Sequence, residues 1–175
     1  MQKSNNLSAL APGLRLNNPM ETTQLKLNET LIKPRFSEVD ALAIVHHSRY
    51  VPWVEEANFN FVENILGITR RDLFELDMYN PIQSIQCKYK NHVNWEDNVI
   101  VSSHMHYSKF AYFEMENVLR CSKDRQKIFA NTRVKLLITN KQLELKLMAP
   151  EFFVKSIKAA EEKHPNFFTP LEHEK

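Results

Sequence analysis

The sequence predicts an α+β domain in which a curved antiparallel sheet wraps around one long central helix. Two observations carry that prediction. Apolar residues recur at steps of three or four between Tyr50 and Leu66, and from Ile85 onward the pattern changes to alternation over four successive segments. A sheet with one apolar face has to be covered, and the 48–66 segment is the only stretch long and apolar enough to cover it. With 175 residues and 43% hydrophobic content, the chain suits one well-buried core rather than two.

Residues 1–21, rich in Asn, Leu and Pro without a sustained period, read as a flexible N-terminal extension. The domain itself is expected over 22–165, with 166–175 as a C-terminal tail. From Thr22 to Phe36 the chain is extended in character, and Pro34 marks an edge or a bulge. The helix follows over Ser48–Leu66. Tyr50, Val54, Ala57, Phe61 and Ile65 form its stripe, widened by Trp53, Val62 and Leu66, while Glu55, Glu56, Asn58 and Glu63 lie mostly outside. Pro52 falls in the first turn, where its missing N–H costs little. Gly67, one of only two glycines, supplies the C-terminal cap.

Arg70–Leu76 reads as one short helical turn. Strands are expected around Ile85–Tyr89, Val99–Tyr107, Ala111–Leu119 and Ile128–Ile138, joined by short connections suited to a meander. Pro150 closes the strand region, and 151–162 reads as a short helix.

Composition excludes several classes. A formal net charge of +2 gives no electrostatic footprint for nucleic acid. No apolar run reaches the roughly 18 residues of a transmembrane helix, and the N-terminus lacks the apolar core of a secretory signal. Cys87 and Cys121 make no disulfide framework and no CxxC, so they read as reduced thiols in a cytoplasmic protein. His104 and His106 share a strand face without a third ligand at metal spacing, and read as solvent-facing. There is no GxSxG elbow, P-loop or GxGxxG.

The stretch that carries chemistry is Asp40-Ala41-Leu42-Ala43-Ile44-Val45-His46-His47. A strand-like run stops at an aspartate, crosses an apolar loop with paired histidines, and enters the helix. One carboxylate therefore stands near the N-terminal end of a helix, whose unsatisfied N–H groups can stabilise an oxyanion. That pairing suggests acyl transfer. Lys88 and Lys90 fit a solvated strand face, or contact with the phosphates of a coenzyme.

Asp40, Ala43, Val45, His46-His47, Tyr50 and Glu55, followed by Lys90 to Val99 and by Met148-Ala149-Pro150, resemble in order and spacing the hotdog-fold acyl-CoA thioesterases of the 4-hydroxybenzoyl-CoA thioesterase type. The likeness covers roughly 24–160. It implies Asp40 as the catalytic carboxylate, acting as nucleophile or general base, with the backbone N–H of His47 polarising the thioester carbonyl and the His47 ring beside the aspartate. Tyr50, Trp53 and Val54 would line the acyl pocket, Glu55 would assist, and no metal or cofactor is called for. The substrate would be an acyl-CoA or an acyl group on a carrier protein, and the assembly a homodimer or a tetramer of dimers. Leu42-Ala43 stands where the family usually has glycine, which stiffens the loop. Two function classes stay open: an acyl-thioester hydrolase, favoured by Asp40 beside His47, and a non-catalytic acyl-binding or interaction module, favoured by the missing glycine. A hotdog dehydratase is a weaker third.

Overall fold

The computed structural model describes residues 24–171. The expected extension at 1–21 lies outside the described residues. The elements run β1 (Glu29–Ile32), α1 (Tyr50–Leu66), α2 (Arg70–Glu75), β2 (Ile82–Tyr89), β3 (Val99–Tyr107), β4 (Tyr112–Cys121), β5 (Ile128–Leu137), α3 (Glu151–Lys163) and β6 (Phe168–Pro170). Short 3-10 turns at Phe36–Glu38 and His47–Arg49 flank the loop bearing Asp40.

The sheet order is β1-β3-β4-β5-β2, antiparallel throughout, with β6 added in parallel beside β3. β3, β4 and β5 alternate buried and more open positions, as a sheet with one covered face must. This is the curved sheet around a helix that the sequence pattern predicts, and the hotdog fold that the resemblance implies. The stripe of α1 lies on the sheet: Tyr50, Trp53, Val54, Ala57, Phe61, Val62, Ile65 and Leu66 are all buried. Gly67 caps the helix at φ 67°, the left-handed conformation that favours glycine.

Two features differ from the sequence expectation. α3 also covers the sheet, burying Phe153, Ile157 and Ala160 at i, i+4 and i+7 among Phe61, Phe113 and Met115. The long helix therefore does not cover the core alone. The tail expected from 166 is not all tail, because Phe168–Pro170 forms β6 against Met105–Tyr107. Its anchor is Phe168, which is buried near Phe61.

The interior divides into two apolar clusters. One gathers Phe61, Ile65, Met105, Met115, Phe113 and Phe153, and the other Trp53, Val54, Ala57, Val101, Leu119 and Phe129. β2 forms one edge of the sheet and is exposed along most of its length, Ile82, Ile85 and Tyr89 included.

Candidate active site

The chain from Val39 to Val45 makes a tight hairpin with Asp40 on its shoulder. Asp40 N donates to Ile44 O at 2.8 Å, and Ala43 N donates back to Asp40 O at 3.1 Å. A turn of this kind ends in a left-handed residue, normally glycine. Here Ala43 takes that role at φ 60°. The loop thus reaches the required conformation without glycine, at a local cost of about 1–2 kcal/mol. Asp40 Oδ1 accepts from the N–H of Leu42 at 2.8 Å, which fixes the carboxylate over its own loop.

The hairpin is held from behind. Val45 N donates to Val93 O at 2.8 Å, Ile44 bridges to Asn94, and both valines are buried. Glu38, just before the hairpin, accepts from the Trp53 indole N–H at 3.2 Å and from Arg35 N at 2.8 Å. Trp53 thus ties α1 to the segment that carries Asp40.

His46 caps the helix start: its Nδ1 accepts from Ser48 N at 3.3 Å and from the Ser48 hydroxyl at 2.8 Å. His47 begins the 3-10 turn that runs into α1, so its N–H is among the first donors of a helical segment, which have no intrahelical acceptor. The His46 and His47 rings lie 4.1 Å apart. The Tyr89 hydroxyl donates to His47 O at 3.1 Å.

Asp40, His47, Tyr50, Tyr89, Lys90 and His92 line one open cleft of about 400 Å³, with Ile44, Val45 and Asn91. Tyr50 and Tyr89 meet edge to face at 5.2 Å. Burial pushes the Tyr50 phenol up to about 12, and partial desolvation together with the neighbouring Cys87 thiol pushes the more exposed Tyr89 phenol up to about 12 as well, so both remain hydrogen-bond donors across the ordinary pH range.

Of the residues singled out in sequence, Asp40, His47 and Tyr50 come together here. Trp53 does not join them: it is buried and borders a separate cleft with Glu38, Pro52 and Glu56. Val54 is fully buried in the core. Glu55 lines a third, narrower cleft with Asn58 and Phe59. Sequence reasoning did not assign Tyr89, Asn91 or His92 to the site. The available signal was that they end a strand beside the loop pairing with Val93 and Asn94. Among the described residues, no group of His, Cys, Asp or Glu is arranged to hold a metal ion, and no helix is long and apolar enough to cross a membrane.

The chain belongs to the Thioesterase-like superfamily, whose family model matches residues 34–157. Among curated proteins it is 26% identical over 70 residues to "Putative acyl-CoA thioesterase YneP" of Bacillus subtilis (strain 168), an alignment covering 40% of this chain. The chain spans about half (50%) the length of that relative. Solved structures of the same fold include a hypothetical protein of Thermus thermophilus, at TM-score 0.66 and 19% identity, covering 75% of this chain and 98% of that one. A gentisyl-coenzyme A thioesterase matches at TM-score 0.64 and 22% identity, covering 74% and 98%. A 1,4-dihydroxy-2-naphthoyl-CoA thioesterase from Synechocystis matches at TM-score 0.66 and 10% identity, covering 74% and 94%.

Proposed function

We propose that this protein is an acyl-thioester hydrolase of the 4-hydroxybenzoyl-CoA thioesterase type, acting on acyl-CoA or on an acyl group borne by a carrier protein. The observation that carries the reading is that Asp40 and the helix start at His47 line a single cleft. Membership of the superfamily and the names of its relatives support the same reaction class.

The thioester carbonyl oxygen would face the N–H of His47, where the helix start favours developing negative charge. Two routes then balance. In one, a water molecule gives its proton to the Asp40 carboxylate while its oxygen attacks the carbonyl, and collapse expels the thiolate, which takes the proton. In the other, Asp40 attacks directly, the thiolate leaves, and water hydrolyses the resulting anhydride. Neither route calls on a metal or cofactor. A single turnover in heavy-oxygen water separates them, because only direct attack leaves label in Asp40.

The experiment that tests the reading is thiol release from a panel of acyl-CoAs by the parent and by Asp40→Asn. An amide can still accept from Leu42 N, so the hairpin is kept while the charge is lost. Activity should fall roughly 10³–10⁴-fold. Full activity in a folded Asp40→Asn protein removes Asp40 from the mechanism.

The exposed edge of β2 supports a homodimer in which two copies of this strand pair and continue the sheet. β2 ends at Tyr89, on the rim of the Asp40 cleft, so such pairing brings the second copy close to the site. Light scattering at micromolar concentration tests this, and a monomer overturns it.

A further inference from the structure

A row of polar side chains crosses the interior where the two apolar clusters meet. On β3, Ser103 lies between Val101 of one cluster and Met105 of the other. On β4, Asn117 lies between Leu119 and Met115 in the same way. The strand register puts Ser103 opposite Asn117 and Asn117 opposite Thr132, with Cys87 of β2 next in line. On α1, Asn58 holds the corresponding place, after Ala57 of one cluster and before Phe61 of the other. All four polar residues are buried.

The row is incompletely paired. Ser103 Oγ donates to Asn117 Oδ1 at 2.8 Å, but Asn117 Nδ2, Thr132 Oγ1 and Asn58 Oδ1 have no partner among the described residues. Three such atoms in one core are costly, because each gives up its hydrogen bonds to water and gains none inside. An apolar row would avoid that cost, so the cost needs a reason.

The reason lies in the narrow cleft that Asn58 lines. Asn58 is 7% exposed and borders this cleft with Glu55, Phe59, Val62, Val134 and Leu136. Thr132 is the next inward-facing residue on β5 after Val134. Each cleft is lined by residues of both α1 and β2: Tyr50 and Tyr89 in the Asp40 cleft, Asn58 and Ile82 in this one. Tyr50 and Asn58 are eight residues apart on the helix, about 12 Å at about 1.5 Å per residue.

We infer that a groove along α1 takes a slender aliphatic acyl chain from the Asp40 cleft to the cleft at Asn58, and that Asn58, with Thr132 and Asn117 in the polar row behind it, binds a hydroxyl near the end of that chain. The inference rests on the acyl-thioester reading of the Asp40 cleft. A hydroxyl both donates and accepts, matching an unpaired carbonyl oxygen on Asn58 and an unpaired amide N–H on Asn117. A carboxylate end does not match, because Glu55 is the only charged residue lining the cleft. The volume favours a slender chain over a ring: the cleft measures about 70 Å³, against about 150 Å³ for a cavity that holds benzene. At about 1.2 Å per extended bond, the 12 Å span fits a chain of roughly eight to ten carbons.

The test compares octanoyl-CoA with 8-hydroxyoctanoyl-CoA, and decanoyl-CoA with 10-hydroxydecanoyl-CoA. The parent should prefer one hydroxylated member over its plain partner by roughly tenfold or more in kcat/KM, because the plain chain leaves the polar row unpaired. Asn58→Leu and Thr132→Val should each bring that ratio toward one. Both remove an unpaired buried polar group, so both should raise the melting temperature, which guards against a loss that merely reports misfolding. Equal rates for both members of each pair in the parent overturn the inference and leave the hydrolase reading standing. If no thioester is hydrolysed, calorimetric binding of the matching non-hydrolysable thioether analogues decides separately. A preference for the hydroxylated analogue supports the groove although the hydrolase reading fails, and equal or absent binding overturns the groove as well.

Discussion

The Tyr89 hydroxyl donates to the backbone carbonyl of His47 at 3.1 Å, joining the end of the edge strand β2 to the residue that opens the helix. Both residues line the Asp40 cleft, so the bond is part of its wall. It holds the peptide that joins His47 to Ser48, and so steadies the backbone at the start of the helical turn whose first N–H is that of His47.

Tyr89→Phe removes that bond and keeps the ring that packs on Tyr50. The expected cost in stability is small, about 0.5–1.5 kcal/mol, because the group is solvent-accessible. The expected cost in turnover is larger in proportion, roughly fivefold to tenfold in kcat with little change in KM, since misdirection of an oxyanion donor is felt in the transition state. Paired denaturation and steady-state kinetics measure both, and an unchanged kcat would separate Tyr89 from the His47 donor.

Ala43 holds a left-handed backbone at φ 60° on the loop of Asp40. Ala43→Gly relieves the steric cost of the Cβ but adds freedom to the unfolded chain, so the two effects partly cancel. The net expectation is stabilisation by about 0.5–1 kcal/mol, read as a shift in urea midpoint at constant slope. A destabilised glycine variant would mean that the loop conformation carries no strain.

Where the sequence was readable, it was so because periodicity and local chemistry agreed. The α1 stripe and the Gly67 cap are local signals, and the meander β3–β4–β5 follows from alternation. β6 was not readable: three residues ending in Pro170 carry no pattern, and parallel pairing with β3 is set by tertiary contacts. Alternation along β2 suggested a covered face, yet Ile85 and Tyr89 are exposed because β2 is an edge. Within the site, Asp40, His47 and Tyr50 were legible as neighbours in sequence. Trp53, Val54 and Glu55 could not all join them, since each helical residue turns about 100° from the last and one helix cannot aim four near-consecutive side chains into a single cleft.

Trp53 therefore yields a prediction of its own. Its indole N–H reaches Glu38, and its ring packs 5.4 Å from that of Tyr50, away from the Asp40 cleft. Trp53→Phe keeps most of the packing and leaves Glu38 without that donor, at an expected cost of about 1–2 kcal/mol. Chain-length ranking across an acyl-CoA panel should stay as in the parent, with a uniform fall in rate as the Asp40 hairpin loosens. A changed ranking would put Trp53 against the acyl chain.

The last prediction concerns pH and the C-terminal strand. His104 Nδ1 donates to Asn166 O at 3.1 Å, and its Nε2 lies 2.8 Å from the Thr169 hydroxyl, so the ring fastens the β6 segment to β3. Its pKa is lowered from 6.5, first by burial and then by the neighbouring His106 ring, against the opposing pull of Asn166 O and Glu116. The other ionisable groups on this face are His106, which pairs with Glu116 at 3.0 Å, and Arg120. A histidine whose folded pKa is depressed favours the neutral ring in the folded state. Its contribution is present above 6.5, the ordinary value, and is lost as pH falls through the lowered folded value. Urea midpoints should therefore decline as the pH falls below 6.5, and His104→Gln should flatten that decline. Hydrogen exchange can locate the effect: amides of Phe168 and Leu171 should lose protection on acidification before those of β4. If acid lowers the midpoint of the His104→Gln protein as steeply as that of the parent, the sensitivity belongs to other groups and His104 is only a fastener.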